Sequence, residues 1–369
     1  VSAIILCFAL PLSLWFLLET LDVKAAWIKL LCALLVFVPW SGQMWELVQF
    51  GNYYIPHIAI SFIYTGLFIS LAYKELSAKK RKIFSLIFFA LAFISGISGI
   101  RYILNFQLPI ALTLIILAVH HIVVQKECFG FSCFFIRDKR VFYASANIIL
   151  GGVGYAMNSL ILHRLFLFST WNDIRFNTLG DITFSDVHRA VFEIFGYHNK
   201  VLALGPAGIN NVMLYIASIF FIICFVLCVK KYESDHKRIF LIITVVMIIL
   251  NFFVIIHTEF AGRYFVPSLV YCIPCFALFL ENKTLSSLKK YCVGVAVSIT
   301  LIAASFTAYI DVLTYDGNRD KIAVCQFLNK NYTFGYATFW NANIFTFMTD
   351  GRIEIGNLET DVIDNVDYI

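Results

Sequence analysis

The sequence predicts an all-α polytopic membrane protein of about ten transmembrane helices over residues 1–310, followed at 311–369 by the start of a small extracytoplasmic α/β domain. Three observations predict it. Hydrophobic residues make up 60% of the chain and charged residues 14%, whereas a soluble domain is near a quarter charged. Apolar runs long enough to cross, or nearly cross, a hydrocarbon core of roughly 30 Å recur along the whole chain. Basic residues gather in short loops at alternate connections, the pattern that orients membrane helices. The net charge of +5 is therefore a topology signal and not a nucleic-acid footprint.

The expected spans are 1–18, 25–41, 54–73, 83–100, 106–124, 141–163, 209–229, 239–256, 264–280 and 291–309. Loop 74–82 carries five basic residues and one acidic, 230–238 four and two, and 281–290 three and one, while 125–140 ends in Arg-Asp-Lys-Arg. All four are cytoplasmic by the positive-inside rule. Loop 19–24 joins them by alternation. The opposite, extracytoplasmic face receives 41–53, 101–105, 164–208, 257–263 and everything after 310. Residue 1 is Val and no basic region or cleavage site precedes the first span. The sequence thus reads as starting inside a longer protein, with no signal peptide.

Side chains within this frame have ordinary membrane roles. Trp27 and Trp40 bracket the second span, and Tyr53 and Tyr54 open the third, as interface anchors. Lys29 is placed to snorkel. Gly151, Gly152 and Gly154 allow a neighbouring helix to come close, and Asn147, Asn158 and Asn251 read as interhelical hydrogen-bonding residues. Cys272-Ile-Pro-Cys275 has redox spacing but lies inside an apolar run, so its thiols read as packed core groups. Cys128 and Cys133 lack the second ligand pair that zinc needs.

The extracytoplasmic loop 164–208 is long. Within it, Ser185–Phe195 has apolar residues at 187, 191, 192, 194 and 195, an amphipathic helix with Ser185 or Asp186 as cap. Long ordered loops are usually functional, and this one is expected to lie along the membrane surface over a cavity. Residues 311–369 carry nine acidic and four basic residues. They predict a helix at 319–330, a strand from Tyr336, a helix from Asn341 through Met348 ended by Gly351, and a second strand from Arg352. Two short strands do not bury a sheet by themselves, so this domain is expected to continue past residue 369.

Two arginines give the sharpest chemical signal. Arg101-Tyr102 and Arg263-Tyr264 each follow a glycine-containing turn on the face where basic residues are disfavoured. Arginine grips phosphate through a planar, permanently charged fork. The competing reading pairs each arginine with an acid such as Glu259 or with a helix C-terminus. Glu46, Glu259 and His257 are the acid/base candidates near helix ends. Arg175 and His188 in the long loop are further candidates for binding substrate or phosphate.

Multiple spans, a long outer loop with a surface helix, Arg-Tyr pairs at outer helix ends and a soluble C-terminal segment resemble the GT-C class of bacterial membrane glycosyltransferases. Residues 335–355, GYATFWNANIFTFMTDGRIEI, look like the segment that follows the membrane region in some of those proteins. The resemblance implies a sugar transferred from a polyprenyl-phosphate carrier to a cell-envelope acceptor at the outer face of the bacterial inner membrane. It implies lipid and lipid-linked sugar as partners, with a divalent metal as a possible cofactor. The class's acidic pair in the first outer loop is absent from this sequence, where 41–53 offers only Glu46. The alternatives are a transporter or flippase for lipid-linked glycans, or a non-catalytic assembly subunit.

Overall fold

The protein, seen as a computed structural model, is described over residues 2–49, 51–125, 138–166, 182–197, 206–229, 234–257, 262–282, 285–314 and 319–358. It is a helical membrane protein. Six helices or helical runs are long and apolar enough to cross a bilayer: Tyr54–Tyr73, Ala78–Ser98, Ile100–Val119, Lys139–Leu165, Asp235–His257 and Ser287–Ile310. Four shorter apolar helices accompany them at Ile4–Thr20, Ala26–Phe37, Asn211–Leu227 and Val266–Glu281. Every expected span therefore coincides with an apolar helix, six of them at spanning length. Leu12, Leu86, Ile249 and Ile302 are among many large apolar side chains left more than 60% exposed. Water would penalise such a surface; lipid does not.

The chain forms two units, Val1–Ala308 and Tyr309–Ile369. In the first, α1 (Ser2–Thr20), α2 (Ala26–Phe37), α3 (Gly42–Gln49), α4 (Gly51–Tyr73) and α5 (Ala78–Ser98) follow in order. Gly99, at φ +115° and ψ −178°, breaks the helix in a region only glycine occupies comfortably. A single turn, Ile100–Tyr102, then runs through a π-helical stretch, Ile103–Gln107, into α6 (Leu108–Gln125). Next come α7 (Lys139–Met157), α8 (Phe184–Ile194), α9 (Pro206–Val229) and α10 (Asp235–His257). A 3₁₀ turn, Gly262–Phe265, and a short helix, Val266–Val270, lead into α11 (Cys272–Glu281) and α12 (Ser287–Thr314), whose last residues fall past Ala308, the end of the first unit.

The core is built from α1 against α4 and from α5 against α7. Glycine sets the second contact. A Cβ on Gly96 would sit 2.1 Å from Gly151 O, and one on Gly154 would sit 2.2 Å from Phe93 O. Gly152 faces open space instead. Asn147 and Asn158 do bridge helices: Asn147 Nδ2 donates to Gln107 O at 2.9 Å and Asn158 Nδ2 to Ile97 O at 2.7 Å. Asn251 differs from expectation. It donates to Met247 O one turn back in its own helix, because that bond needs no partner helix. Lys29 also differs. It does not snorkel but is buried, paired with Glu19 and 5.0 Å from the centre of the Trp15 ring. Cys272 and Cys275 are buried, with their thiols turned back on Ser268 O and Tyr271 O of the preceding turn, as packed core groups.

The helix expected within 164–208 forms one residue earlier than expected. Its cap is Thr183, and Asp186 is the other half of a capping box: Thr183 Oγ1 accepts from Asp186 N–H while the Asp186 carboxylate accepts from Thr183 N–H. The T-x-x-D spacing satisfies two open amides at once, which neither Ser185 nor Asp186 alone would do.

The second unit contains α13 (Arg319–Asn331), β1 (Phe334–Thr338), α14 (Phe339–Met348) and β2 (Glu354–Leu358). The strands pair in parallel, Phe334 opposite Glu354 through Thr338 opposite Leu358. The helix between them starts at Phe339, upstream of the expected cap Asn341, and both strands are displaced by two residues from expectation. Gly351, at φ +72°, makes the turn after α14.

Candidate functional site

The loops sort to two ends of the first unit. One end is charged. Lys74 pairs with Asp22 at 2.7 Å, and His236 Nε2 lies 2.9 Å from the same carboxylate. Lys24 N–H meets Glu281 at 3.3 Å, and the Arg140 guanidinium lies over Tyr73 at 5.9 Å. The segments near 22, 74, 140, 236 and 281 therefore cluster, which are the loops that the charge pattern assigned to one face. Asp22 sits in the left-handed region at φ +57°, closing α1. Burial would raise its carboxyl. The hydrogen bond and charge of Lys74, with His236 and Lys237, outweigh burial and hold it below the usual carboxylate range.

The other end is aromatic and gathers the residues of the Arg-Tyr signal. Arg101 projects from the single turn after Gly99, with its guanidinium 5.6 Å from the centre of the Tyr264 ring. This is cation–π range. The two Arg-Tyr turns, remote in sequence, thus meet at one level. Tyr102, the other half of that pair, turns inward. It is 7% exposed and packs on His57 of α4 at 4.3 Å between ring centres. The cause is helical phase: Arg101 and Tyr102 are adjacent, so they point to different sides of the turn, Arg101 to Tyr264 and Tyr102 to His57.

The π-helical stretch sits directly beneath. Asn105, Phe106 and Gln107 are all buried there. Gln107 Nε2 donates to Ala92 O at 2.8 Å, and its side chain lies against the bare face of Gly151. Tyr64 OH donates to Asn147 Oδ1 at 2.7 Å, completing a chain of hydrogen bonds across α4, α7 and the π turn. Such a network fixes the base on which Arg101 stands.

Helix α8 lies over this end. It packs against α3 and the Gly262–Phe265 turn. Ser41 Oγ donates to Ile194 O, and Trp40 packs on Phe195 at 5.7 Å. His188 is engaged in that packing: its Nε2 is 3.2 Å from Tyr215 OH, and its ring packs at a tilt on Phe192, 4.5 Å between centres. The Asp186 carboxyl at the start of α8 is held below its ordinary range by Thr183, through side chain and backbone. His257 ends α10, with Nδ1 2.7 Å from Phe253 O and its ring on Phe253. Glu259 and Arg175 lie outside the described residues, as do the side chains of Glu46 and Arg263. The elements carrying Glu46 and Arg263, helix α3 and the Gly262–Phe265 turn, pack together.

The structure therefore brings together Arg101, Tyr102 and Tyr264 of the predicted set, and adds His57 and Gln107. His57 had a usable signal, an ionisable side chain inside an expected span. Gln107 had none, because its place depends on the π turn. Among the described residues no three His, Cys, Asp or Glu side chains converge as a metal site. No family model, curated protein or solved structure matches the chain.

Proposed function

We propose that this protein is a polytopic, GT-C-like membrane glycosyltransferase that takes a sugar from a polyprenyl-phosphate carrier and passes it to a cell-envelope acceptor. The observation that carries the reading is the Arg101 guanidinium poised over Tyr264, at the end of the bundle away from the clustered basic loops. In this reading the ten apolar helices all cross a bacterial inner membrane and the basic end is cytoplasmic. Arg101 and Arg263 hold the carrier phosphate by charge-assisted hydrogen bonds. The Tyr264 ring keeps Arg101 oriented, and α8 shields the site from water. Glu46 or Glu259 serves as base toward the acceptor hydroxyl.

A transporter for lipid-linked glycans is the second reading. It draws on the buried Tyr64–Asn147–Gln107 network and on the helix interruption at Tyr271, whose hydroxyl lies 3.1 Å from that of Thr65. Interrupted helices with polar groups at depth are a transporter feature.

Binding of a polyprenyl phosphate to the purified full chain tests the first reading. Arg101→Ala is expected to lower affinity about ten- to a hundredfold, the cost of a lost charge-assisted contact. Arg101→Lys should restore part of it, since charge returns without the fork. Carrier affinity unchanged in an Arg101→Ala protein that melts normally would remove the phosphate role.

A further inference from the structure

The basic end holds a concave site of its own. A cavity of about 170 Å³ opens between the start of α2, the end of α11 and the start of α12, with Trp27, Glu281, Lys290 and Tyr291 on its wall. Its aromatic side is built. The Trp27 and Tyr291 rings lie 5.3 Å apart, and Trp27 is seated against the bare backbone of Gly294, where a Cβ would come within 2.7 Å of the ring. Its polar side carries both signs. Glu281 accepts Lys24 N–H at 3.3 Å, and Lys290 Nζ makes a long 3.5 Å bond to Glu281 O. Among the described residues neither Glu281 nor Lys290 has an ion-pair partner within 4.0 Å, and Glu281 feels the more distant charge of Lys237.

From Trp27 and Tyr291, exposed apolar residues run down both helices into the membrane-facing surface. Leu30 and Leu34 continue the Trp27 stripe on α2, while Val295 and Ile299 continue the Tyr291 stripe on α12. These spacings keep each set on one helix face.

We propose that this cavity binds the headgroup of a phosphoethanolamine lipid, with Lys290 on the phosphate, Glu281 on the primary ammonium and the Trp27–Tyr291 pair beside that cation. The acyl chains then follow the two apolar stripes. A carboxylate and an ammonium on one wall suit a zwitterion. A purely anionic headgroup would face Glu281 with like charge, which is how a site rejects the wrong ligand. A quaternary ammonium could still lie near the aromatic rings, but it has no N–H to donate to Glu281. The site is separate from the arginine–tyrosine end, and its occupancy does not depend on the proposed transfer reaction.

The test uses the full chain purified in detergent and titrated with dihexanoyl phosphatidylethanolamine, the matching phosphatidylglycerol and phosphatidylcholine, and inorganic phosphate. Bound lipid is counted by native mass spectrometry beside a lipid-free melting curve. The ethanolamine lipid is expected to bind about tenfold more tightly than the other two, the scale of one charge-assisted contact. Glu281→Gln should erase that preference. Lys290→Gln should weaken all three lipids, and neither variant should change the lipid-free melt. Equal binding of ethanolamine and glycerol lipids by the parent chain would overturn the proposal. So would ethanolamine-lipid binding unaffected by either variant, and displacement of the lipid by equimolar inorganic phosphate would show a free-anion site instead.

Discussion

Asp22 shows how much one side chain can settle at an element end. Its backbone lies in the left-handed region and its carboxylate joins Lys74 and His236. Asn tolerates the same backbone, so Asp22→Asn removes the charge and keeps the turn. The pair is half exposed, and solvent screening limits the expected loss to about 0.5–1 kcal/mol. A carboxyl held below its ordinary value binds fewer protons folded than unfolded. Its stabilisation is therefore complete above the unfolded value of about 3.9 and fades as pH falls through the folded one. Melting curves from pH 7 down to 3 should converge for parent and Asp22→Asn at the acid end. A gap that stays constant across that range would refute the ion-pair account. The same residue marks a limit of sequence reading. Loop 19–24 has no net charge signal of its own, and what gives Asp22 its role is contact with residues more than fifty positions away.

At the scale of elements, apolar runs were legible because length and hydropathy are local properties. The helices Ser2–Thr20 and Asp235–His257 and the helical run Lys139–Leu165 each lie within a few residues of expectation. Their pairing was less legible. The three glycines in α7 suggested a close neighbour, but nothing in the sequence named Gly96 or set Gly152 apart. Gly96→Ala would drive a methyl into Gly151 O and should cost about 1–3 kcal/mol, the range for overpacking. Gly152→Ala should be neutral or slightly stabilising, as alanine suits a helix better. Thermal unfolding in one detergent compares the two, and equal tolerance would mean that α5 and α7 separate freely. The capping box at Thr183 was missed for a smaller reason: the apolar pattern begins at Val187, and the cap lies four residues before it.

At the scale of the whole molecule, the alternation of charged loops anticipated which segments come together. Segments near 22, 74, 140, 236 and 281 meet at one end, and those near 41, 101, 190 and 264 at the other. Half of the candidate site was legible in the same way, since two Arg-Tyr turns on one face imply proximity. That Arg101 would cover Tyr264 while Tyr102 turned inward depended on packing. Cysteines placed at exposed Ser77 and Ser185 test the sidedness. With an impermeant thiol reagent on intact cells, labelling above the parent chain is expected at 185 and not at 77; the reverse result would invert the frame. The π turn at 103–107 carries a consequence for engineering. A π turn is an α-helix with one residue too many, and one residue is about 100° of helical rotation. The turn therefore works as a phase shifter between the anchored shaft of α6 and its tip. Deleting a single residue there would tidy the helix into regular α geometry and swing Arg101 about a quarter turn away from Tyr264. A change that improves the regularity of the backbone would dismantle the place where the two halves of the signal meet.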